Sequence, residues 1–222
     1  VDDMLIFSRS MRQIEKFMRS LDKEYDYTDE GDIKSYLGID VSEPCEGTFK
    51  LSQPHLTQNI LRSIGDITIN ACKEPATPKE ILVHEGEPRK TDWNYRSIVG
   101  QLNYLTGSSR GELAFAVHQC ARFAADPKRQ HEKALLKILR YLKGTPNGGL
   151  IITPRKALGL ECYVDADFAG GWCKDTTHDP ASVLSRSGYV IRLYGCPILW
   201  VSKLQTEIAL STTESEYIAL SQ

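Results

Sequence analysis

The sequence of 222 residues contains no apolar run near the ~18 residues that a membrane-spanning helix needs, so no spanning helix is expected. It lacks an excess of either charge: 27 Lys and Arg stand against 29 Asp and Glu, a net of −2. That balance excludes a uniformly basic nucleic-acid coat and leaves room for a local basic patch. No two of the six cysteines stand two to four residues apart, which excludes zinc-finger and redox CxxC spacings. They are expected to be reduced and mostly buried. The five histidines show no HExxH or paired spacing, so each is expected to be structural or at the surface. There is no glycine-rich phosphate loop, no nucleophile elbow, no internal repeat and no low-complexity tract.

What is present suits a folded chain. Hydrophobic residues make up 41% and charged residues 25%, enough for a core in one or two domains. Residues 3–8 carry a continuous apolar run and are predicted to form a short buried strand. Met11, Ile14, Phe17, Met18 and Leu21 follow at helical spacing. Ser35 to Val41 is predicted to be a strand, paired across Gly47 with a second strand at Thr48 to Ser52. Leu56, Ile60, Leu61 and Ile64 predict a helix that stops at Gly65. Residues 66–91, with three prolines and little periodicity, are expected to be a loop.

Three helices should then form a bundle. Tyr95, Ile98, Val99, Leu102 and Leu105 mark the first, with Asp92 as its N-cap. Leu113, Ala116, Val117 and Cys120 mark the second. Asp126 and Pro127 signal the start of the third, which ends at Lys143-Gly144. Beyond Gly149 the period changes. Strands are predicted at Leu150–Thr153 and Leu160–Val164, a hairpin at Ser187–Tyr194 and Pro197–Ser202 around Gly195-Cys196, and a helix from about Thr213. The last residue, Gln222, falls within that helical pattern, and the first is Val1 rather than methionine, so both ends read as cut.

Four constellations can carry chemistry. Asp2-Asp3 places two carboxylates at the mouth of an apolar run, an arrangement that a hard divalent cation relieves; the same dipeptide is also common in solvated turns. Asp165 and Asp167 end an apolar strand and share a face if the strand continues; they suit a metal or an ordinary strand-end turn. Glu214 and Glu216 open the last helix, where Ser211 with Glu214, or Thr213 with Glu216, fits a capping box. Residues 126–143 hold six basic and two acidic side chains, a net of +4. Within them Arg129, Lys133, Lys137 and Arg140 step along one face, a stripe that can track a phosphate backbone or be the solvated face of an amphipathic helix.

Together these residues resemble a known family. The chain is similar, collinearly and over essentially its whole length, to the late reverse transcriptase and early ribonuclease H of copia-type LTR retrotransposon polyproteins. Val1-Asp2-Asp3-Met4-Leu5-Ile6 resembles the tail of the polymerase Tyr-x-Asp-Asp motif. Tyr36-Leu37-Gly38-Ile39-Asp40-Val41 resembles the strand that becomes the primer grip, and Leu51-Ser52-Gln53 the opening of the thumb. Tyr95-Arg96-Ser97-Ile98-Val99-Gly100-Gln101-Leu102-Asn103-Tyr104-Leu105 is similar to the connection helix, and Arg140-Tyr141-Leu142-Lys143-Gly144-Thr145 to the close of that bundle. Tyr163-Val164-Asp165-Ala166-Asp167-Phe168-Ala169-Gly170, Ser187-Gly188-Tyr189-Val190, Trp200-Val201-Ser202-Lys203-Leu204-Gln205 and Thr213-Glu214-Ser215-Glu216-Tyr217-Ile218-Ala219-Leu220 resemble the ribonuclease H half.

The resemblance implies an α+β fold in three parts: a reverse transcriptase palm remnant and thumb start over 1–65, a linker and helical thumb and connection over 66–146, and an incomplete ribonuclease H-like domain over 149–222, marginal by itself. It implies catalytic, metal-binding roles for Asp2, Asp3, Asp165 and Glu216, with Glu214 as the helix cap. It implies Mg²⁺ at two-metal sites. Implied partners are an RNA template, the RNA–DNA hybrid and the remainder of the polyprotein, without a membrane; the implied setting is cytoplasmic virus-like particles if the parent element is intact. Further ligands of both sites are expected outside the 222 residues, leaving each site half present and the chain inactive alone. The competing reading is a non-catalytic retroelement relic, at most a nucleic-acid-binding module using Arg129, Lys133, Lys137 and Arg140.

Overall fold

The computed structural model describes residues 3–65, 67–77, 82–177 and 179–222. The elements run α1 (Met11–Leu21), β1 (Ser35–Tyr36), β2 (Ile39–Cys45), β3 (Thr48–Ser52), α2 (Pro54–Arg62), α3 (Tyr95–Ser108), α4 (Ala114–Ala121), α5 (Arg129–Gly144), β4 (Leu150–Ile152), β5 (Leu160–Asp167), β6 (Arg186–Leu193), β7 (Cys196–Leu204) and α6 (Thr212–Leu220). The architecture is mixed helix and sheet. One antiparallel sheet has the order β1-β2-β3-β4 and another the order β5-β6-β7.

The core lies in the helices between the sheets. Ile60 of α2, Ile98, Leu102 and Leu105 of α3, and Leu135, Ile138, Leu139 and Leu142 of α5 are all fully buried, joined by Val117 of α4. The i, i+3, i+4 spacing puts these side chains on one face of each helix, and water is excluded where the faces meet. The α3 cap is Asn94, whose side chain accepts from the Ser97 N–H, rather than the expected Asp92. The α5 helix starts two residues after Pro127. Lys128 is drawn into a bridge with Pro88, and the Arg129 N–H donates to Glu87 O at 2.9 Å. An extended backbone engaged in a bridge is not available for a helical turn.

Residues 3–8 do not form the expected buried strand. Met4, Leu5 and Phe7 are 62%, 47% and 87% exposed, and no described strand lies beside them. An apolar run becomes a strand only where a neighbour supplies backbone partners. α1 forms as expected and buries no residue. The single strand expected over 35–41 is a hairpin: Leu37 and Gly38 take left-handed φ values of 50° and 73°, and the chain reverses between β1 and β2. The later hairpin turns at Tyr194-Gly195, one residue before the expected position. α6 closes at Leu220, where the Ser221 N–H caps Tyr217 O and Ile218 O.

β4 pairs with β3, through Phe49↔Ile152, Lys50↔Ile151 and Leu51↔Leu150. The division expected at 149 therefore separates β4 from its own partner. Gly149 permits the pairing: a Cβ there would stand 2.5 Å from Leu51 O. Under the second sheet, α6 packs on β5 and β6 through small and polar groups. Ser187 and Ser215 are fully buried, and the Gln205 amide donates to Ser187 Oγ and Ser215 O. None of the six cysteines is in a disulfide, but only Cys120 and Cys196 are buried, fewer than expected.

Replacing Leu139 by Ala is expected to lower the unfolding free energy by about 2–5 kcal/mol. The urea midpoint measures it, and a loss below about 1 kcal/mol would show that the α5 face is not the core.

Candidate functional site

Asp165 stands inside β5, opposite Gly188, and Asp167 ends the strand opposite Arg186. Cross-strand partners share a face, so both carboxylates lie on the side from which Arg186 reaches α4. Asp167 folds against the Gly170 backbone and helps keep Arg186 charged. Asp165 is exposed. On α6, Ser211 Oγ accepts from the Glu214 N–H at 3.1 Å, and the Glu214 carboxylate accepts from the Leu210 N–H at 2.6 Å. Of the two pairings the sequence allows, Ser211 with Glu214 is the one that forms. Glu216, half-buried in the next turn, makes no hydrogen bond or ion pair among the described residues. The helix carrying Glu216 packs on β5 and β6 from the Ser187 side, whereas Asp165 and Asp167 lie on the Arg186 side. Asp3 is exposed in the irregular segment before α1, and Asp2 lies outside the described residues.

The basic stripe has a different fate from the one expected for a phosphate track. Arg129 pairs with Glu87 at 2.6 Å, Lys137 Nζ donates to Thr77 Oγ1 at 3.0 Å, and Arg140 Nε donates to Asn70 O at 2.8 Å. Lys143 adds a bond to Ile69 O at 2.8 Å. Among its described residues the segment before α3 forms no ladder of its own, and these cations bind a carboxylate, a hydroxyl and two carbonyl groups in it. Lys133 alone of the four is exposed with no partner among the described residues.

A polar contact between bundle and sheet had no sequence signal. Arg186 donates to His118 at 3.1 Å and to Gln119 Oε1 at 3.0 Å, 68 and 67 residues away, and its guanidinium lies over the Phe115 ring. Beside it, the Trp200 indole N–H donates to Thr106 O at 2.9 Å. The indole rests on Gly111, where a Cβ would come within 2.7 Å of the ring. Arg110 is buried, pairs with Glu112 at 2.6 Å and donates to Thr145 O and Oγ1, tying the turn after α3 to the end of α5.

The reverse transcriptase (RNA-dependent DNA polymerase) family matches residues 1–79. The chain is 32% identical over 218 residues to the retrovirus-related Pol polyprotein from transposon RE2 of Arabidopsis thaliana, covering 98% of this chain and 14% of that protein. It is 33% identical over 236 residues to the Pol polyprotein from transposon TNT 1-94 of Nicotiana tabacum, covering 17% of that protein. It is 31% identical over 227 residues to a putative transposon Ty5-1 protein of Saccharomyces cerevisiae, all of this chain and 70% of that one. The chain belongs to the copia-type retrotransposon Pol polyprotein family. No solved structure matches it.

Within this Pol segment the donors suit a hard cation and their number does not. Carboxylate oxygens are what Mg²⁺ takes. Yet among the described residues no group of three or more His, Cys, Asp or Glu is arranged to hold a metal ion. Among the described residues no helix is long and apolar enough to cross a membrane.

Two histidines are held neutral. His131 accepts from the Lys128 N–H at Nδ1, 2.8 Å away, and its Nε2–H donates to Val83 O at 2.9 Å. Both nitrogens are committed, and burial pushes the pKa down to about 4. His118 accepts from Arg186; burial, then Arg186 and Arg122, push it to about 4. Protonation therefore favours the unfolded chain, in which histidine titrates near 6.5. Full stability is expected above pH 6.5 and is lost as pH falls toward 4, by on the order of 1 kcal/mol per histidine at pH 5. Urea midpoints at pH 7.5 and 5.0 measure this, and the double variant His118→Gln, His131→Gln should flatten the difference. An equal fall in that variant would assign the effect to other groups.

Proposed function

We propose that this chain is the segment of a copia-type Pol polyprotein that joins the end of the polymerase to the start of the ribonuclease H. In this reading β1–β3 and α2 belong to the palm and thumb, α3–α5 to the thumb and connection, and β5–β7 with α6 to the ribonuclease H-like sheet. The observation that carries it is one bundle bonded to both sheets. Ser109, at the end of α3, donates to Gln53, at the end of β3, at 2.9 Å. On the other side Trp200 and Arg186 bond to α3 and α4. A rigid spacer of this kind keeps two active sites at a fixed separation along one template.

The substrates we assign are an RNA template and the RNA–DNA hybrid made from it, with Mg²⁺ as the cofactor of the completed sites. Asp3 with Asp2, and Asp165 with Glu216, are the carboxylates we assign to them, and cytoplasmic virus-like particles are the setting of an intact parent element. The chain spans 14% of the RE2 polyprotein, and the remaining ligands are to be sought elsewhere in such a polyprotein. Metal sites act only with their full ligand set, so this chain alone is assigned no turnover.

Incubated with Mg²⁺ and a labelled RNA–DNA hybrid, the chain should give no cleavage above the protein-free control; robust cleavage abolished by Asp165→Asn would overturn that assignment. For duplex binding, Lys133→Ala should flatten the dependence of log K on log[salt] by about one unit. Arg140→Ala should act mainly on stability, because its guanidinium already holds Asn70. A salt slope unchanged in Lys133→Ala would remove this helix from the nucleic-acid interface.

A further inference from the structure

We propose that Tyr104 is a positioning residue: its phenol, reaching out from α3, holds the Leu37–Gly38 turn, so that the β1–β2 hairpin and the bundle meet a nucleic-acid duplex as one fixed surface. The proposal rests on the polymerase reading given above. A two-residue hairpin with both central residues left-handed matches the right-handed twist of its strands. Glycine adopts that conformation freely, as Gly38 does at φ 73°, whereas Leu37 at φ 50° brings its Cβ against the backbone. Such a residue persists only where its surroundings over-determine it.

The local ladder is thin. β1 is two residues long and lies at the sheet edge, and only the pairs Ser35↔Asp40 and Tyr36↔Ile39 close the hairpin, with one flanking bond from the Val41 N–H to Lys34 O at 2.8 Å. The Tyr104 hydroxyl donates to the Leu37 carbonyl, 67 residues away in sequence. Among the described residues it is the one hydrogen bond between this hairpin and α3. Tyr104 is turned away from the core that Ile98, Leu102 and Leu105 form, and it is 46% exposed. The ring therefore does little for the bundle interior, and its described polar partner is the strained turn. Leu37, 47% exposed, is presented to solvent at the tip of the clamped hairpin.

The test uses the full chain and Tyr104→Phe, which removes only the hydroxyl. Amide exchange over residues 34–42 should become about 2–10-fold faster, with the bundle helices unchanged, and affinity for a fluorescein-labelled RNA–DNA duplex should fall by a similar factor. Adding Leu37→Gly, which relieves the left-handed strain, should restore part of the slow exchange and of the affinity. Unchanged exchange in Tyr104→Phe would overturn the clamp. Faster exchange with unchanged duplex affinity would overturn the positioning role. If the wild-type chain binds no duplex, the polymerase reading falls and takes the positioning role with it, while the exchange measurement decides the clamp by itself.

Discussion

The α5 helix satisfies two demands at once, and the rest of the structure hangs on that. Its inward leucines and Ile138 complete the core with α2, α3 and α4. Its outward side chains face the stretch of chain between α2 and α3, whose described residues carry backbone polar groups and belong to no sheet. Such groups need partners, and α5 supplies them from end to end. Lys143 and Arg140 hold Ile69 and Asn70, Gln130 and His131 hold Val83, and the buried Glu132 carboxylate accepts from the Lys90 and Thr91 N–H groups. The last of these sits just ahead of α3.

The bundle also explains how two small sheets share one body. The first is tied in at Ser109–Gln53, and β4 returns from the end of α5 to pair with β3. The second meets the bundle through Trp200 on the turn after α3 and through Arg186 on α4. Its own interior is poor in large apolar groups, with serines and a glutamine between strands and helix. Small polar contacts release little hydrophobic free energy, so the sheet draws much of its support from the bundle. The neutral His118 in that contact makes the support weaken in acid.

Legibility in the sequence followed the range of the interaction involved. The helices at 95–108, 114–121 and 129–144 were readable because apolar periodicity is local. So was the Ser211–Glu214 cap, as one of two alternatives three residues apart. The run at 3–8 looked like a buried strand, yet its fate depended on a neighbouring strand that the local pattern cannot contain. The turn at Leu37–Gly38 was hidden because leucine carries no turn signal. The stripe of Arg129, Lys133, Lys137 and Arg140 was visible as charge, and nothing in its spacing told that three of the four would bind the chain's own loop. Arg186 and His118, nearly seventy residues apart, left no mark that local reading could find.

By itself the sequence determined the α+β class, the helical bundle with its apolar faces, two candidate caps for the last helix and, through motifs in order, the family. Those follow from side-chain spacing and from chemistry carried by neighbours. Only the tertiary structure decided that β4 joins the first sheet, that the cations of α5 are largely committed inside the chain, and that His118 and His131 stay neutral. Each of these turns on which distant group comes within hydrogen-bonding reach, and that distance exists only once the chain has folded.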